Sequence, residues 1–152
     1  MKLRGLLLRA IPLAALATGA SGQVPDLYDP DVVADVRLTF HQPGFWQQLV
    51  ANRASETPIA ADLTVAGVTV PSVGVRLRGN TSWLLLPAGS QKASFNIDID
   101  CFVPGQELLG YRQLNLNNGW HDPTFLREFL GYRLMRRHGL GPQCNFVRLH
   151  LD

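Results

Sequence analysis

The sequence predicts an α+β domain in which an antiparallel sheet is combined with two helices. Three observations favour this class. Apolar and polar residues alternate in several short stretches, which is the pattern of strands with one buried face. Turn-forming residues separate these stretches. Two further segments repeat their apolar residues at helical spacing. The chain has 152 residues, which is enough for one domain.

The first residues have the pattern of a secretory signal peptide. Three basic residues surround the start of an apolar stretch, which continues over residues 10–17 and is followed by small residues at 20–22. This apolar run of about 8 residues falls short of the roughly 20 that cross a bilayer. We therefore expect cleavage after residues 1–22, no membrane span in the remaining protein, and a polar lead-in at residues 23–32.

Removal of this segment would change the charge of the protein. The full sequence carries 14 basic and 12 acidic residues, a formal net charge of +2. Three of the 14 basic residues lie in the signal segment and none of the 12 acidic residues does. The remaining chain would therefore carry eleven basic and twelve acidic residues. This balance, without a cluster of Lys and Arg among aromatic residues, argues against a nucleic-acid partner. Any phosphate recognition would have to be local.

Cys101 and Cys144 are the two cysteines of the chain. In an oxidising compartment they could form one disulfide, which would close a loop of about 43 residues and stabilise the fold by about 4 kcal/mol. Two free, buried thiols are the alternative. Two cysteines with scattered histidines do not have the spacing of a zinc site.

The first half of the chain predicts a strand, a helix and a hairpin. Residues 33–40 alternate as a strand, and residues 43–53 place their apolar side chains on one stripe of a short helix. Two β-rich runs between residues 59 and 78 meet at Ala66-Gly67, which is a hairpin signal.

The second strand of this hairpin carries two arginines on its polar face. Arg76 and Arg78 alternate with apolar residues and lead into a loop at residues 79–91. A guanidinium group is a planar fork that suits phosphate oxygens, but the loop has too few glycines near the strand for a P-loop. The alternative is that the arginines pair with Asp98 or Asp100 on a neighbouring strand. We expect this structural role for Arg76 more than for Arg78.

The second half of the chain predicts three further strands. Residues 92–100 alternate, and a short strand follows through Leu114 and Leu116. The polar corner after that strand contains Asn115, Asn117 and Asn118, which we expect to hydrogen-bond the tight connection to the next helix. The sequence ends in a strand within "NFVRLHLD".

The helix between these strands has the clearest boundary signals. Asp122 is a natural N-cap, Pro123 suits the first helical position, and Gly139 is a C-terminal stop. The apolar residues of this helix are expected to form its buried face. They are Phe125, Leu126, Phe129, Leu130 and Leu134.

Several stretches together resemble the N-terminal half of the CotH spore-coat kinase family in order and spacing. They are "VGVRLRGNTS", "QKASFNIDID", "LLGYRQLNLNNGWHDPTFLREFLGYRLMRRHGL" and "FVRLHLD". The resemblance covers roughly residues 33–152 and implies the N-terminal portion of a protein-kinase-like fold, incomplete because the family's catalytic aspartates and metal ligands lie in its C-terminal half. We therefore expect no catalytic residue in this stretch and no activity from it alone.

The resemblance also implies a function. Proteins of this family are secreted atypical kinases that use ATP with a divalent metal, Mg²⁺ or Mn²⁺, to phosphorylate Ser-rich proteins. Lys92 opens a strand after a loop, where a kinase small lobe places its phosphate-contacting lysine. Glu128 follows on a helix, in the order of a glutamate that pairs with this lysine. The resemblance thus implies a nucleotide site of Lys92, Arg78 and Glu128, in which Lys92 faces the same cavity as the arginines.

A noncatalytic binding or structural module of the cell envelope or spore coat is the alternative function. Its contact surface would be the apolar tip "WLLLP" at residues 83–87. Both hypotheses predict a secreted or envelope-bound protein.

Overall fold

The structure, a computed structural model, describes residues 26–152. The predicted signal peptide at residues 1–22 lies outside the described residues. The described part is an α+β arrangement of six strands and three short helices, which confirms the predicted fold class. The elements are β1 (Ala34–Thr39), α1 (Phe45–Ala51), β2 (Ile59–Val65), β3 (Val68–Arg78), α2 (Thr81–Leu84), β4 (Ser94–Asp98), β5 (Gln113–Leu116), α3 (Leu126–Arg136) and β6 (Val147–Leu151).

The six strands form one sheet in the order β5-β4-β3-β2-β1-β6. Neighbours pair antiparallel from β5 to β1, as predicted. The last strand differs, because β6 runs parallel to β1 and sets Ala34 beside Val147 and Leu38 beside Leu151. The sheet is therefore mostly, rather than purely, antiparallel, and β5 and β6 are its edges.

The hairpin of β2 and β3 has the turn that the sequence predicts. Val65 pairs with Val68 across a two-residue turn, in which Ala66 and Gly67 have φ angles of 50° and 80°. Two successive residues with positive φ match the right-handed twist of the flanking strands. The turn thus sets the pairing of the two strands from Val65–Val68 to Leu63–Val70.

Farther along the hairpin, a bulge interrupts the pairing between Ala61 and Leu63. The Asp62 carboxylate lies at this bulge, where it accepts a hydrogen bond from the backbone N–H of Ser72 at 3.0 Å. Its other oxygen lies 2.8 Å from Nε2 of His41. The contact with His41 is the main cause that lowers the pKa of Asp62 below its ordinary value. The Ser72 bond lowers this pKa further.

The hydrophobic core lies on the opposite face of the sheet from the arginines. α1 covers this face with Leu49, which is buried, and with Trp46, whose ring centre is 6.5 Å from that of Phe95. Burial of a leucine side chain contributes about 1.5–3 kcal/mol. The sheet side chains that complete the core include Val36, Leu38, Leu63, Val73, Val75, Leu77, Ile97 and Leu114.

The described part of the lead-in packs onto this core. Leu27 is buried, and the side-chain amide of Asn145 donates to the carbonyl oxygens of Leu27, Asp29 and Val32. These bonds connect the start of the described chain to the segment just before β6.

The loop at residues 79–91 contains a helix that was not predicted. α2 is a single turn, too short to show an apolar period. Leu84 and Leu85 at its end are 76% and 60% exposed. Trp83 is different, because it packs against the core.

α3 begins at Leu126 rather than at Pro123, because Phe125 has a left-handed φ of 58° that interrupts the helical path. The N-cap residue is therefore Phe125 rather than the predicted Asp122, although Asp122 still binds backbone N–H groups at this end. Its carboxylate accepts from the backbone N–H of Thr124 at 3.2 Å and of Arg127 at 2.8 Å. The Thr124 hydroxyl is the first cause that lowers the pKa of Asp122, and the Arg127 backbone bond lowers it further.

The predicted burial of α3 is wrong. None of its residues is buried, and Leu134 is 59% exposed. Its main aromatic contact is Phe129 on Phe146, with ring centres 4.8 Å apart. α3 ends at Arg136, and Gly139, the predicted stop, follows in the turn after it with φ 74°. Among residues 26–152, no helix has the length and apolar character of a membrane span.

Candidate anion-binding site

The polar face of the sheet has a row of side chains that crosses three strands. Arg76 of β3 stands opposite Asn96 of β4, which in turn stands opposite Asn115 of β5. Asn96 is buried and donates its side-chain amide to the Asn115 side-chain oxygen at 2.9 Å. Directly opposite residues share a face, so this row forms a fixed polar floor.

A cavity of about 540 Å³ lies over this floor. Three guanidinium groups line it, from Arg53, Arg76 and Arg78, and the one carboxylate among its described lining residues is that of Glu56. The cavity therefore has an excess of positive charge. The near-neutral composition argued against an overall basic protein, but it allowed a local cationic site of this kind.

Among the described residues, Arg78 is the arginine of this cavity that has no partner. It ends β3 opposite Ser94, and its side chain is half-buried. Within residues 26–152, its guanidinium makes no hydrogen bond or ion pair. An unpaired guanidinium with five N–H donors is available to an oxyanion.

Arg76 has a structural partner, as predicted, but a different one. It binds the Glu56 carboxylate at 2.9 Å rather than Asp98 or Asp100. Asp98 stands opposite Gly74, so it is a diagonal neighbour of Arg76, which attracts it without forming an ion pair. Burial is the main cause that raises the pKa of Asp98, and its contact with Asp100 raises it further.

Arg53 is a cavity residue that the sequence reasoning missed. It follows α1, donates from Nη2 to the carbonyl oxygen of Gly79 at 2.5 Å, and has its guanidinium carbon 5.2 Å from the ring centre of Trp83. Its Nε is buried and has no partner in the described part of the chain. These contacts join segments that are distant in sequence, so no local pattern indicated them.

The turn that receives Arg53 depends on Gly79. This glycine has a φ of 87°, a conformation that residues with a Cβ rarely adopt. A Cβ at this position would also overlap the hydroxyl oxygen of Ser82. The turn after β3 is therefore a defined structure at the cavity wall.

The structure does not bring the three predicted nucleotide-binding residues together. Arg78 lines the cavity, whereas the Lys92 ammonium lies 4.5 Å from the ring centre of Phe125 and is not among the lining residues. Glu128 accepts a hydrogen bond from the Asn117 side chain at 2.5 Å. Between residues 26 and 152, Lys92 and Glu128 form no ion pair within 4 Å.

The polar corner after β5 is hydrogen-bonded as predicted, and besides the Asn117 bond to Glu128 of α3 its bonds reach β4. Asn118 donates its side-chain amide to the Lys92 carbonyl at 3.0 Å, and its backbone N–H donates to the Ser94 hydroxyl at 3.1 Å. These bonds hold the start of β4 beside the end of β5. Asn115 instead belongs to the floor of the cavity.

Cys101 and Cys144 are both free, partly buried thiols in this structure. Burial is the main cause that raises the pKa of each. Cys101 lies against Gly74 of β3, and Cys144 lies in the field of the Glu128 carboxylate. Over the described range, no three His, Cys, Asp or Glu side chains are grouped as metal ligands.

A mostly antiparallel sheet with short helices and a cationic cavity is compatible with the N-terminal lobe of a kinase-like protein, in incomplete form. The chain belongs to the family described as CotH kinase protein, whose match covers residues 75–152. No curated protein matches the chain. The family match begins within β3 and includes Arg76 and Arg78, while Arg53 and Glu56 precede it.

Proposed function

We propose that this chain supplies the nucleotide-binding part of a secreted kinase of the CotH type, and that its arginine cavity binds the phosphate groups of ATP. The observation that carries this proposal is the Arg78 guanidinium, which has no partner in the described part of the chain and lies in a cavity with two further arginines. Family membership supports the reaction class. The phosphate acceptor would be a Ser-rich exported protein.

The chemistry of phosphoryl transfer supports this role for the cavity. The reaction needs fixed positive groups against the nucleotide phosphates, because charge spreads over the phosphoryl oxygens in the transition state. Arginine forks bind such oxygens in pairs. The cavity of about 540 Å³ is within the usual size of small-molecule sites, roughly 300–1,000 Å³.

Lys92 has a secondary part in this proposal. Its ammonium rests on the Phe125 ring, a contact worth about 0.5–1 kcal/mol at an exposed site. A phosphate group could draw the lysine off the ring without a large loss. A divalent metal would neutralise charge on the phosphates when bound, and the proposal assigns it no ligand from the described residues.

Titration of Mg-ATP into purified wild type and Arg78→Ala tests the proposal. We expect Arg78→Ala to weaken binding at least about ten-fold, since hydrogen bonds to a charged group are lost. Arg112→Ala is the matched control, because Arg112 pairs with Glu107 and does not line the cavity. Lys92→Ala should weaken binding by about three-fold.

Equal affinity of Arg78→Ala and wild type, or no binding by either, would contradict a nucleotide site. The alternative of a noncatalytic envelope module rests on the exposure of Leu84 and Leu85. Its test is the double variant Leu84→Ser with Leu85→Ser. Trp83 is left unchanged, because it packs against the core and against Arg53 and its replacement would disturb the fold. Absence of ATP binding, with release of the double variant from the envelope fraction, would favour that alternative.

A further inference from the structure

We infer that Glu56 is an internal counter-ion of the arginine cavity, which an oligophosphate displaces from Arg76, and that Arg53 is the second anchor for that ligand. This inference rests on the proposed function of the cavity and specifies which residues serve it. The ligand class is an anion with two or more linked phosphoryl groups.

The Glu56–Arg76 ion pair has the properties of a displaceable contact. Glu56 lies on the turn after α1 with a φ of 55°, and its side chain is 70% exposed although the Arg76 side chain is mostly covered. Exposed ion pairs of this kind change an equilibrium by about five-fold or less. A phosphate group with a higher charge and more oxygens can therefore replace the carboxylate on Arg76.

Arg53 is placed to hold an anion because its own position is already fixed. The bond to the Gly79 carbonyl and the stacking on Trp83 order the side chain before a ligand arrives. Its Nε is enclosed and has no acceptor among residues 26–152. Because Arg53 lines the cavity, a bound anion would instead accept from the guanidinium N–H groups that the Gly79 carbonyl does not use.

The charges of the lining residues indicate a ligand larger than a single phosphate. With Glu56 displaced, Arg53, Arg76 and Arg78 would present three cations around one cavity of about 540 Å³. Linked phosphoryl groups carry several negative charges along one chain, so they can contact more than one of these guanidinium groups. A single phosphate can use fewer of them.

The experiment is calorimetric titration of inorganic tripolyphosphate and, separately, of Mg-ATP into wild type and three variants. Glu56→Gln keeps the size of the side chain and removes its charge, and we expect tripolyphosphate to bind about 1.5- to five-fold more tightly. Glu107→Gln removes a carboxylate from another exposed arginine pair, at 3.0 Å, and should leave the affinity unchanged. Arg53→Lys keeps the charge but loses the planar fork, and should weaken binding about three- to ten-fold.

Glu56→Gln decides the inference, because Arg53→Lys could also loosen the Gly79 turn. Unchanged or weaker tripolyphosphate binding by Glu56→Gln, or the same gain with Glu107→Gln, overturns the counter-ion role. Tighter tripolyphosphate binding by Glu56→Gln without Mg-ATP binding would support the counter-ion and reject the nucleotide proposal. Mg-ATP binding that depends on Arg78 but not on Glu56 would support the nucleotide proposal and reject the counter-ion role of Glu56.

Discussion

Gly79 connects the turn after β3 to the wall of the arginine cavity. Its positive φ turns the chain after β3, and its carbonyl oxygen accepts the hydrogen bond from Arg53. A side chain at this position would strain the backbone and overlap Ser82. The turn, the Arg53 side chain and the cavity wall are therefore coupled through one residue.

Alanine at Gly79 should be more harmful than alanine at Gly67. Both glycines have positive φ, but a Cβ at Gly67 meets nothing within 4 Å. We expect Gly67→Ala to lower the free energy of unfolding by about 1 kcal/mol through backbone strain alone. Gly79→Ala should lower it by about 2 kcal/mol or more and also weaken tripolyphosphate binding. Urea unfolding with calorimetry checks both, and equal losses at the two positions would contradict the described turn.

The sequence indicated part of this residue-level geometry. Alternation along β3 was enough to set Arg76 and Arg78 on the polar face, because strand periodicity is local. Arg53 and Glu56 were not predicted as site residues, since their contacts with Gly79 and Arg76 depend on how α1 packs against the hairpin. Side-chain contacts across the fold have no signature in a single sequence.

At the scale of elements, the β2–β3 hairpin is held at its bulge by one ionised side chain. Asp62 bonds both Ser72 and His41, and these contacts lower its pKa in the folded protein. A carboxyl with a lowered folded pKa stabilises the protein above its unfolded pKa of about 3.9. That contribution is lost as the pH falls through the folded value.

Asp62→Asn should therefore destabilise the protein in a pH-dependent way. We expect a loss of about 1 kcal/mol at pH 7, because hydrogen bonds to a charged acceptor at a partly exposed site are weakened. The difference from wild type should shrink below about pH 4, where wild-type Asp62 also becomes protonated. Thr64→Val removes an uncharged contact with Thr69 in the same hairpin. Its effect in urea unfolding should not vary with pH, and a constant difference for Asp62→Asn would contradict the assigned role.

The elements differed in how well local patterns predicted them. The hairpin was predictable because Ala66-Gly67 determines a two-residue turn by its own conformational preferences. α2 was not, since one helical turn has no period to detect. The start of α3 shifted from Pro123 to Leu126 because Phe125 adopts a left-handed conformation that an apolar residue does not signal.

At the scale of the whole molecule, apolar residues are divided between a buried core and an exposed helix. Leu38 is fully buried in the sheet, whereas Leu134 on α3 is mostly exposed. The apolar period of α3 shows which side of the helix is apolar, but it does not show what covers that side. The predicted burial was wrong for this reason.

Substitutions at these two leucines should have very different effects. Leu38→Ala should lower the free energy of unfolding by about 2–5 kcal/mol, because it leaves a cavity in the core. Leu134→Gln should change it by no more than about 0.5 kcal/mol and reduce self-association in light scattering. A large destabilisation by Leu134→Gln would mean that α3 is packed in the folded protein.

The pairing of β6 with β1 has a consequence for how the chain folds during synthesis. Asp35 on β1 binds Arg148 on β6, 113 residues later. Strands β1 to β5 can associate as neighbours while the nascent chain leaves the ribosome. The backbone N–H and C=O groups on the side of β1 that faces β6 stay unpaired until β6 has been synthesised. Contacts between such distant segments form slowly. Until then the unpaired side of β1 is open to strands of other nascent chains, so a chaperone that shields this side would protect the protein when it is most vulnerable.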